Sequence, residues 1–247
     1  MNSRNSSPNA DAFHAPADTD AALRPTRILN SDHPEILACA REIAGNEIKN
    51  PVKTAVKLYY AVRDGIRYDP YCPFYLPEHY RADNVLRSGR GFCISKAGLL
   101  CALGRACGIP SRLGFADVRN HLSTRQLLDY LGSDLFVFHG YTEFFLQGGW
   151  VKATPAFNKE LCLRHRVSPL DFDGKKDSVF QPYNSEHKPY MEYVKYRGEY
   201  NDIPVDEIVN AWKKAYGTER VQSWIAHMEK KRNTSPRSFD AEDVFSG

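Results

Sequence analysis

Residues 89–110 constrain the fold most, because glycines and a proline bound a helix-compatible run that begins at a cysteine. Two glycines punctuate the approach to Cys93, and Gly108 with Pro110 ends the predicted helix near Cys107. Cys93 therefore occupies the first turn. There the unpaired backbone N–H groups and the positive end of the helix dipole favour a thiolate over a thiol. The segment thus predicts a loop that delivers a reactive cysteine to the start of a buried helix.

Composition indicates an ordinary globular protein. A chain of 247 residues that is 42% hydrophobic suits one large domain or two small ones. The net charge of +3 is too small to indicate nucleic-acid binding, and the basic cluster at residues 230–232 is interpreted as a solvated helix end. No apolar run reaches the length of about eighteen residues of a membrane span, and the N-terminus lacks a secretion-signal pattern. We therefore expect no membrane partner and a cytoplasmic location.

The six cysteines do not predict a disulfide scaffold or a zinc ribbon, because they show no paired short spacing. The nearest approach to a metal pattern is the single pair Cys162 and His165, whose further ligands are not visible. We therefore expect neither a metal nor another cofactor. Cys101 and Cys107 are interpreted as structural residues, since cysteine is among the most frequently buried residue types.

The predicted organisation is a core between polar ends. Residues 1–25 are rich in small polar residues and proline, and are expected to form a disordered tail. The core is expected over residues 26–160. An extension over residues 161–230 is expected to end in two amphipathic helices, and residues 231–247 are expected to form a second tail.

Two helices are predicted before the cysteine. The motif Asp32-His-Pro-Glu35 matches a capping box and begins a helix that ends near Gly45. Asn50 followed by Pro51 begins the next one. Residues 69–77 contain too much proline for a helix or a central strand, and are expected to form a structured loop. Its aromatic side chains are expected either to wall a substrate cleft next to Cys93 or to pack beneath the loop.

A β-hairpin is predicted over residues 135–157, with its turn at Gln147-Gly-Gly149. In that register Glu143 faces Lys152, and side chains separate by parity onto two faces. One face carries the core residues Phe136, Phe138, Phe144, Leu146, Val151, Ala153 and Phe157.

The second face of the hairpin is polar and carries His139, Tyr141, Glu143, Lys152, Thr154 and Asn158. On this face, His139 is better placed to act as a base whose second ring nitrogen is held by a neighbour than to be a satisfied core histidine. A cysteine at a helix start, a later histidine on a strand and a polar residue on the adjacent strand together indicate cysteine–histidine catalysis.

Ordered motifs extend this pattern: Tyr68, Gly91-Phe-Cys93, Ala97, Leu100, Arg105, Gly108-Ile-Pro-Ser-Arg112, His139 and Glu143 in a His-x-x-x-Glu spacing, and Trp150. Together they resemble the transglutaminase-like core of the papain-like cysteine hydrolases, over roughly residues 30–160. The resemblance implies an α+β fold in which the cysteine helix packs on an antiparallel sheet, here with a helical C-terminal extension. Where the family has an aspartate two positions after the cysteine, this chain has Ser95.

The family's Cys-His-Asp triad implies that Cys93 is the nucleophile and His139 the base. At the third position the family has Asp-Pro, and this chain has Thr154-Pro155. A threonine hydroxyl can accept the imidazole N–H but brings no negative charge. Thr154 is therefore one candidate orienter, Asn158 and Glu143 are two others, and reduced or lost activity is the remaining alternative.

The expected function is thiol-dependent acyl transfer on a peptide or other amide substrate, free or within a protein, with hydrolysis as in a cysteine protease or amidase. We expect the Cys93 backbone N–H, with a group from residues 68–90, to bind the oxyanion. Transfer to an amine, as in a transglutaminase, is an alternative. A non-catalytic binding module that has lost the triad aspartate is another, and the sequence leaves the oligomeric state open.

Overall fold

A computed structural model describes residues 18–121, 123–183, 187, 190–230, 239 and 242. Most of the expected N-terminal tail, residues 1–17, lies outside these ranges. The helices are α1 (Asp18–Ala21), α2 (Pro34–Ala44), α3 (Pro51–Gly65), α4 (Ala82–Ser88), α5 (Cys93–Ala106), α6 (Arg125–Leu131), α7 (Lys159–Arg164), α8 (Val205–Tyr216) and α9 (Thr218–Lys230). The strands are β1 (Arg67–Tyr68), β2 (Arg90–Gly91), β3 (Ser111–Asn120), β4 (Leu135–Leu146), β5 (Gly149–Ala153) and β6 (Met191–Tyr200).

Helix α5 is the centre of the molecule. Every residue from Ile94 to Arg105 is buried, which is the pattern of a helix covered on all sides. Helices α2, α3 and α4 pack on one side of it, and strands β3 and β4 on the other. The predicted start at Cys93 is confirmed.

The two helices before it form where the sequence predicts them, with one change of cap. Asn50 caps α3 by accepting a hydrogen bond from the Lys53 N–H at 3.1 Å. Helix α2 is capped by His33, whose Nδ1 accepts from the Glu35 N–H at 3.3 Å, and not by Asp32. The helix therefore begins one residue later than expected and has a single side-chain cap in place of the expected capping box, since Pro34 takes the first helical position.

The main sheet is antiparallel, in the order β5-β4-β3-β6. The predicted hairpin register is confirmed, since Leu146 pairs with Gly149 and Glu143 with Lys152. The predicted separation of faces is also found, because Phe138, Phe144 and Val151 pack in the main core around α5. Together these features give the predicted α+β fold.

The face expected to be polar is buried as well. His139 and Glu143 are 4% and 2% exposed. Part of the extension forms a second apolar cluster over this side, and three of its residues are Phe180, Tyr190 and Met191. We call residues 156–191 the cover. The polar residues of this face are therefore enclosed between the sheet and a segment that the sequence pattern left without a definite structure.

The C-terminal helices close another side. Trp212 of α8 lies 4.7 Å from Phe74 of the proline-rich loop, and Trp224 of α9 stacks on Tyr130 at 4.6 Å. The aromatic stripes of these helices are thus core residues, as predicted. Within the described ranges, none of the helices combines the length and the apolarity needed to cross a membrane.

Both expected tails contain ordered residues. Ala22 is fully buried, and its carbonyl accepts the Ser111 N–H at 2.9 Å. At the other end, Phe239 and Glu242 are 5% and 6% exposed. Ala22 and these two C-terminal residues thus have tertiary partners that a composition argument does not register.

Candidate active site

The turn before Cys93 is fixed by a single serine. Phe92 is the extended residue that precedes α5, and its N–H donates to Ser95 Oγ at 3.0 Å. The Ser95 hydroxyl donates in turn to the Phe92 carbonyl at 3.1 Å. Ser95 stands where the family aspartate was expected, and in this chain it closes the first turn of the helix and orients the backbone at Cys93.

Strand β4 brings His139 to the start of α5. His139 pairs with Ala116 of β3, and the next residue, Gly140, lies against the helix. A Cβ at Gly140 would lie 3.0 Å from the Ile94 Cα, so only glycine allows this approach without displacing the helix. The Gly140 N–H is hydrogen-bonded to the sulfur of Cys93. Cys93 thus contacts the residue directly after His139.

Cys93 and His139 line the same cavity. It has a volume of about 50 Å³, and most of its other lining is aromatic, including Tyr68, Phe92 and Trp212. A cavity of this size holds a few water molecules and no peptide. Cys93 itself is partly exposed, so the cavity is narrow but not sealed.

A bulge in the sheet sets the position of His139. The register of β3 on β4 shifts between Ala116 and Val118, and Phe138 has a φ of 62°, in the region that favours glycine. Asp117 Oδ1 accepts the Phe138 N–H at 3.0 Å. The guanidinium of Arg197 holds the same carboxylate at 2.9 and 2.7 Å. This buried pair maintains a strained backbone beside His139.

Helix α8 supports the same bulge from the opposite side. The Tyr216 hydroxyl accepts the Val137 N–H at 2.8 Å and donates to the Leu135 carbonyl at 3.0 Å. Trp212 Nε1 donates to the Val137 carbonyl at 2.8 Å. Sequence reasoning assigned these aromatic residues only to the core and missed their contacts with the strand that carries His139.

Burial determines the protonation of both groups. The Cys93, Ile94 and Gly140 N–H groups each lower the pKa of the thiol, as a helix start should. Desolvation acts more strongly in the opposite direction and raises the pKa of Cys93 to about 11. Desolvation also lowers the pKa of His139 to about 3. The narrow site therefore holds a neutral thiol and a neutral imidazole, and the expected low-pKa thiolate is not found in this conformation.

No hydrogen bond joins His139 to Thr154 within the described part of the chain. His139 Nε2 is buried without a hydrogen-bond partner there, and the ring of Phe180 lies 5.1 Å from the imidazole. Thr154 is 1% exposed, its carbonyl accepts the Tyr59 hydroxyl at 3.1 Å, and its own Oγ1 is also buried without a hydrogen-bond partner among the described residues. An orienting role for Thr154 remains a prediction.

The two other candidate orienters are engaged elsewhere. Asn158 Oδ1 accepts the Tyr68 N–H at 2.7 Å, and Asn158 Nδ2 donates to the Ile66 carbonyl at 2.8 Å, so its amide fastens the end of α3. The Glu143 carboxylate is bound by Arg112 at 2.7 Å. Neither side chain hydrogen-bonds His139 in the described ranges. These ranges also contain no group of three or more side chains suited to hold a metal.

Comparison with known proteins supports this description of the core. The family described as the Transglutaminase-like superfamily matches residues 38–155. None of the curated proteins matches the chain.

Two solved structures are similar to part of the chain, each at 18% identity. One, described as "a Putative Cysteine Protease from Cytophaga hutchinsonii", aligns with a TM-score of 0.42 over 57% of this chain and 43% of that chain. The other, described as "a putative protease from Parabacteroides distasonis ATCC 8503", aligns with a TM-score of 0.38 over 56% of this chain and 26% of that chain. The chain thus spans less than half the length of either protein. The family match confirms that residues 38–155, which carry Cys93 and His139, are a transglutaminase-like core.

Proposed function

We propose that this protein catalyses thiol-dependent acyl transfer on amide bonds of peptides, with hydrolysis as the usual outcome. The observation that carries the proposal is that Cys93 and His139, distant in the chain, line one cavity, where the backbone next to the histidine bonds the cysteine sulfur. Two such residues on one cavity support the pairing of a nucleophile with a base, which acyl transfer requires.

In the proposed mechanism His139 takes the proton from the Cys93 sulfur, and the thiolate attacks the amide carbonyl carbon. The backbone N–H groups of Cys93, Ile94 and Gly140 converge on this point and supply donors for the developing oxyanion. Protonated His139 then gives its proton to the leaving amine as the C–N bond breaks, which leaves a thioester. Water attacks the thioester with His139 as base, and the acid and the free thiol are released.

The reaction requires the narrow site to widen, because it does not hold a peptide. The neutral thiol and imidazole result from desolvation, and entry of water or substrate removes its cause. Widening would lower the pKa of Cys93, in the direction in which the three N–H groups already act, and would raise the pKa of His139. The reactive ion pair therefore belongs to a wider conformation.

The experiment is turnover of a fluorogenic peptide-amide library by three proteins. Cys93→Ser should lose at least about 10³-fold in kcat/KM, because a serine hydroxyl gives up its proton far less readily than a thiol. Cys107→Ser, directly after the C-terminal end of the same helix and half-buried, should retain wild-type turnover. Rapid acid quench of the wild-type reaction should yield a thioester on Cys93. Turnover that is unchanged in Cys93→Ser would refute the proposal.

The second candidate, a binding module without turnover, is favoured by one observation. His139 Nε2 lacks a partner within the described residues, so no carboxylate stabilises an imidazolium. Binding of peptide amides with no thioester and no product in the same assay would support this alternative. Release of ammonia with incorporation of an added primary amine would instead indicate the transglutaminase reaction.

A further inference from the structure

A second cavity adjoins the one that holds Cys93. It has a volume of about 20 Å³ and shares three lining residues, Tyr68, Leu127 and Phe136, with the cavity of Cys93 and His139. The ring of Tyr68 lies between the two. A ligand that extends away from the nucleophile past Tyr68 would therefore enter this second space.

Phe239 from the C-terminal end of the chain lines this second cavity. Its ring packs edge-on against Tyr68 at 5.5 Å and against Tyr71 at 6.3 Å. The ring of His165 lies 6.1 Å away. Phe239 is 5% exposed, so its side chain is almost completely enclosed.

The carboxylate of Glu242 holds the same end of the chain through hydrogen bonds. The Glu242 N–H donates to the Phe239 carbonyl at 3.1 Å, so a single turn separates the two side chains. The Tyr71 hydroxyl donates to one carboxylate oxygen at 2.7 Å, and the Thr124 hydroxyl donates to the other at 2.7 Å. Two hydroxyl donors from separate parts of the chain thus hold one buried carboxylate.

We propose that the site formed by Tyr68, Tyr71 and Thr124, which we call the groove, is a recognition site for peptides with an aromatic side chain followed three residues later by a carboxylate, and that Phe239 and Glu242 of the chain itself occupy it. An aromatic pocket and a pair of hydroxyl donors at a fixed spacing define this specificity. That the recognised peptide is also the substrate rests on the proposed function. Occupation in cis competes with a peptide from outside.

The test uses full-length protein with Cys93→Ser, so that no probe is turned over. The probe is a fluorescein-labelled peptide that copies residues 236–245, and binding is measured by fluorescence anisotropy. Phe239→Ala with Glu242→Gln, made in this background, vacates the groove. We expect it to bind the probe at least tenfold more tightly than the parent. Leu163→Ala with Glu229→Gln changes an exposed apolar and an exposed acidic residue, and should bind like the parent.

Specificity is tested by changing the probe and then by changing the protein. In the vacated variant, probes with alanine for the phenylalanine or glutamine for the glutamate should bind about tenfold more weakly. Tyr71→Phe should weaken the native probe by a similar factor and leave the glutamine probe unchanged, because only the carboxylate uses that hydroxyl strongly.

Thermal unfolding of each variant checks that it is folded. If the double variant does not fold, the single variants Phe239→Ala and Glu242→Gln replace it, and each should bind the probe more tightly than the parent but less tightly than expected for the double variant. The proposal is overturned if vacating the groove does not tighten binding, or if a probe lacking both side chains binds equally well. Because binding is read without turnover, a failure of this proposal is separate from a failure of the proposed catalysis.

Discussion

Both faces of the main sheet bury side chains, but they contain different chemistry. The face towards α5 is apolar, with Phe138 and Phe144 fully buried. The face under the cover encloses His139, Thr154 and Glu143 with little exposure. Burying a polar group without a hydrogen-bond partner costs free energy. The face under the cover therefore contributes less to the free energy of unfolding than the apolar face does. This difference indicates that the face towards α5 stabilises the fold and that the face under the cover carries His139, which the proposed reaction uses.

The largest expected effect compares one phenylalanine from each face. Phe144→Ala should lower the free energy of unfolding by about 3–5 kcal/mol, because its pocket in the close-packed core cannot collapse. Phe180→Ala should cost about 1–3 kcal/mol, since the irregular cover can relax around the lost ring. Urea denaturation measures both values. A loss from Phe180→Ala equal to that from Phe144→Ala would contradict the division between the two faces.

The pH dependence of stability tests the burial of His139. Its pKa is about 3 in the folded protein and about 6.5 when unfolded, so below pH 6.5 the unfolded chain takes up the proton first. This contribution to stability is complete above pH 6.5 and falls by up to roughly 1.4 kcal/mol per pH unit as the pH drops towards 3. Urea denaturation between pH 7 and 4 should show a shallower decline for His139→Gln. Equal slopes in the two proteins would mean that His139 is not desolvated.

The bulge beside His139 should depend on its buried ion pair. Asp117→Asn weakens the bonds to Arg197 and to the Phe138 N–H, and should cost about 1–3 kcal/mol in urea denaturation. The matched control is Asp134→Asn, which removes the exposed pair with Arg119 at 3.2 Å and should cost less than about 0.5 kcal/mol. If the two substitutions cost the same, the pair does not maintain the bulge.

The smallest expected effect concerns Thr154. Thr154→Val keeps the shape and removes the hydroxyl. Since no hydrogen bond joins this side chain to His139 within the described residues, kcat/KM should fall by less than about threefold, below the worth of one typical hydrogen bond. A tenfold or greater fall with unchanged thermal stability would instead assign the orienting role to Thr154.

Local sequence signals were sufficient for the parts of the site that depend on local structure. Flanking glycines located Cys93, and the turn at residues 147–149 fixed the hairpin register that separates the two faces. The bulge was not predictable, because it depends on a pair between Asp117 and Arg197 on different strands. The buried C-terminal residues escaped prediction for the same reason, since their placement comes from tertiary contacts and not from periodicity. Gly140 was the one overlooked local signal, because a glycine inside a strand marks a close backbone approach.

The most direct test of the cysteine–histidine pair is the alkylation rate of Cys93 at pH 7, resolved by peptide mass spectrometry in the wild type and in His139→Gln. If the imidazole accepts the thiol proton whenever the site opens, Cys93 should react at least about tenfold faster in the wild type, while Cys107 reacts at the same rate in both. Equal rates at Cys93 in the two proteins would contradict the pairing on which the proposed function depends.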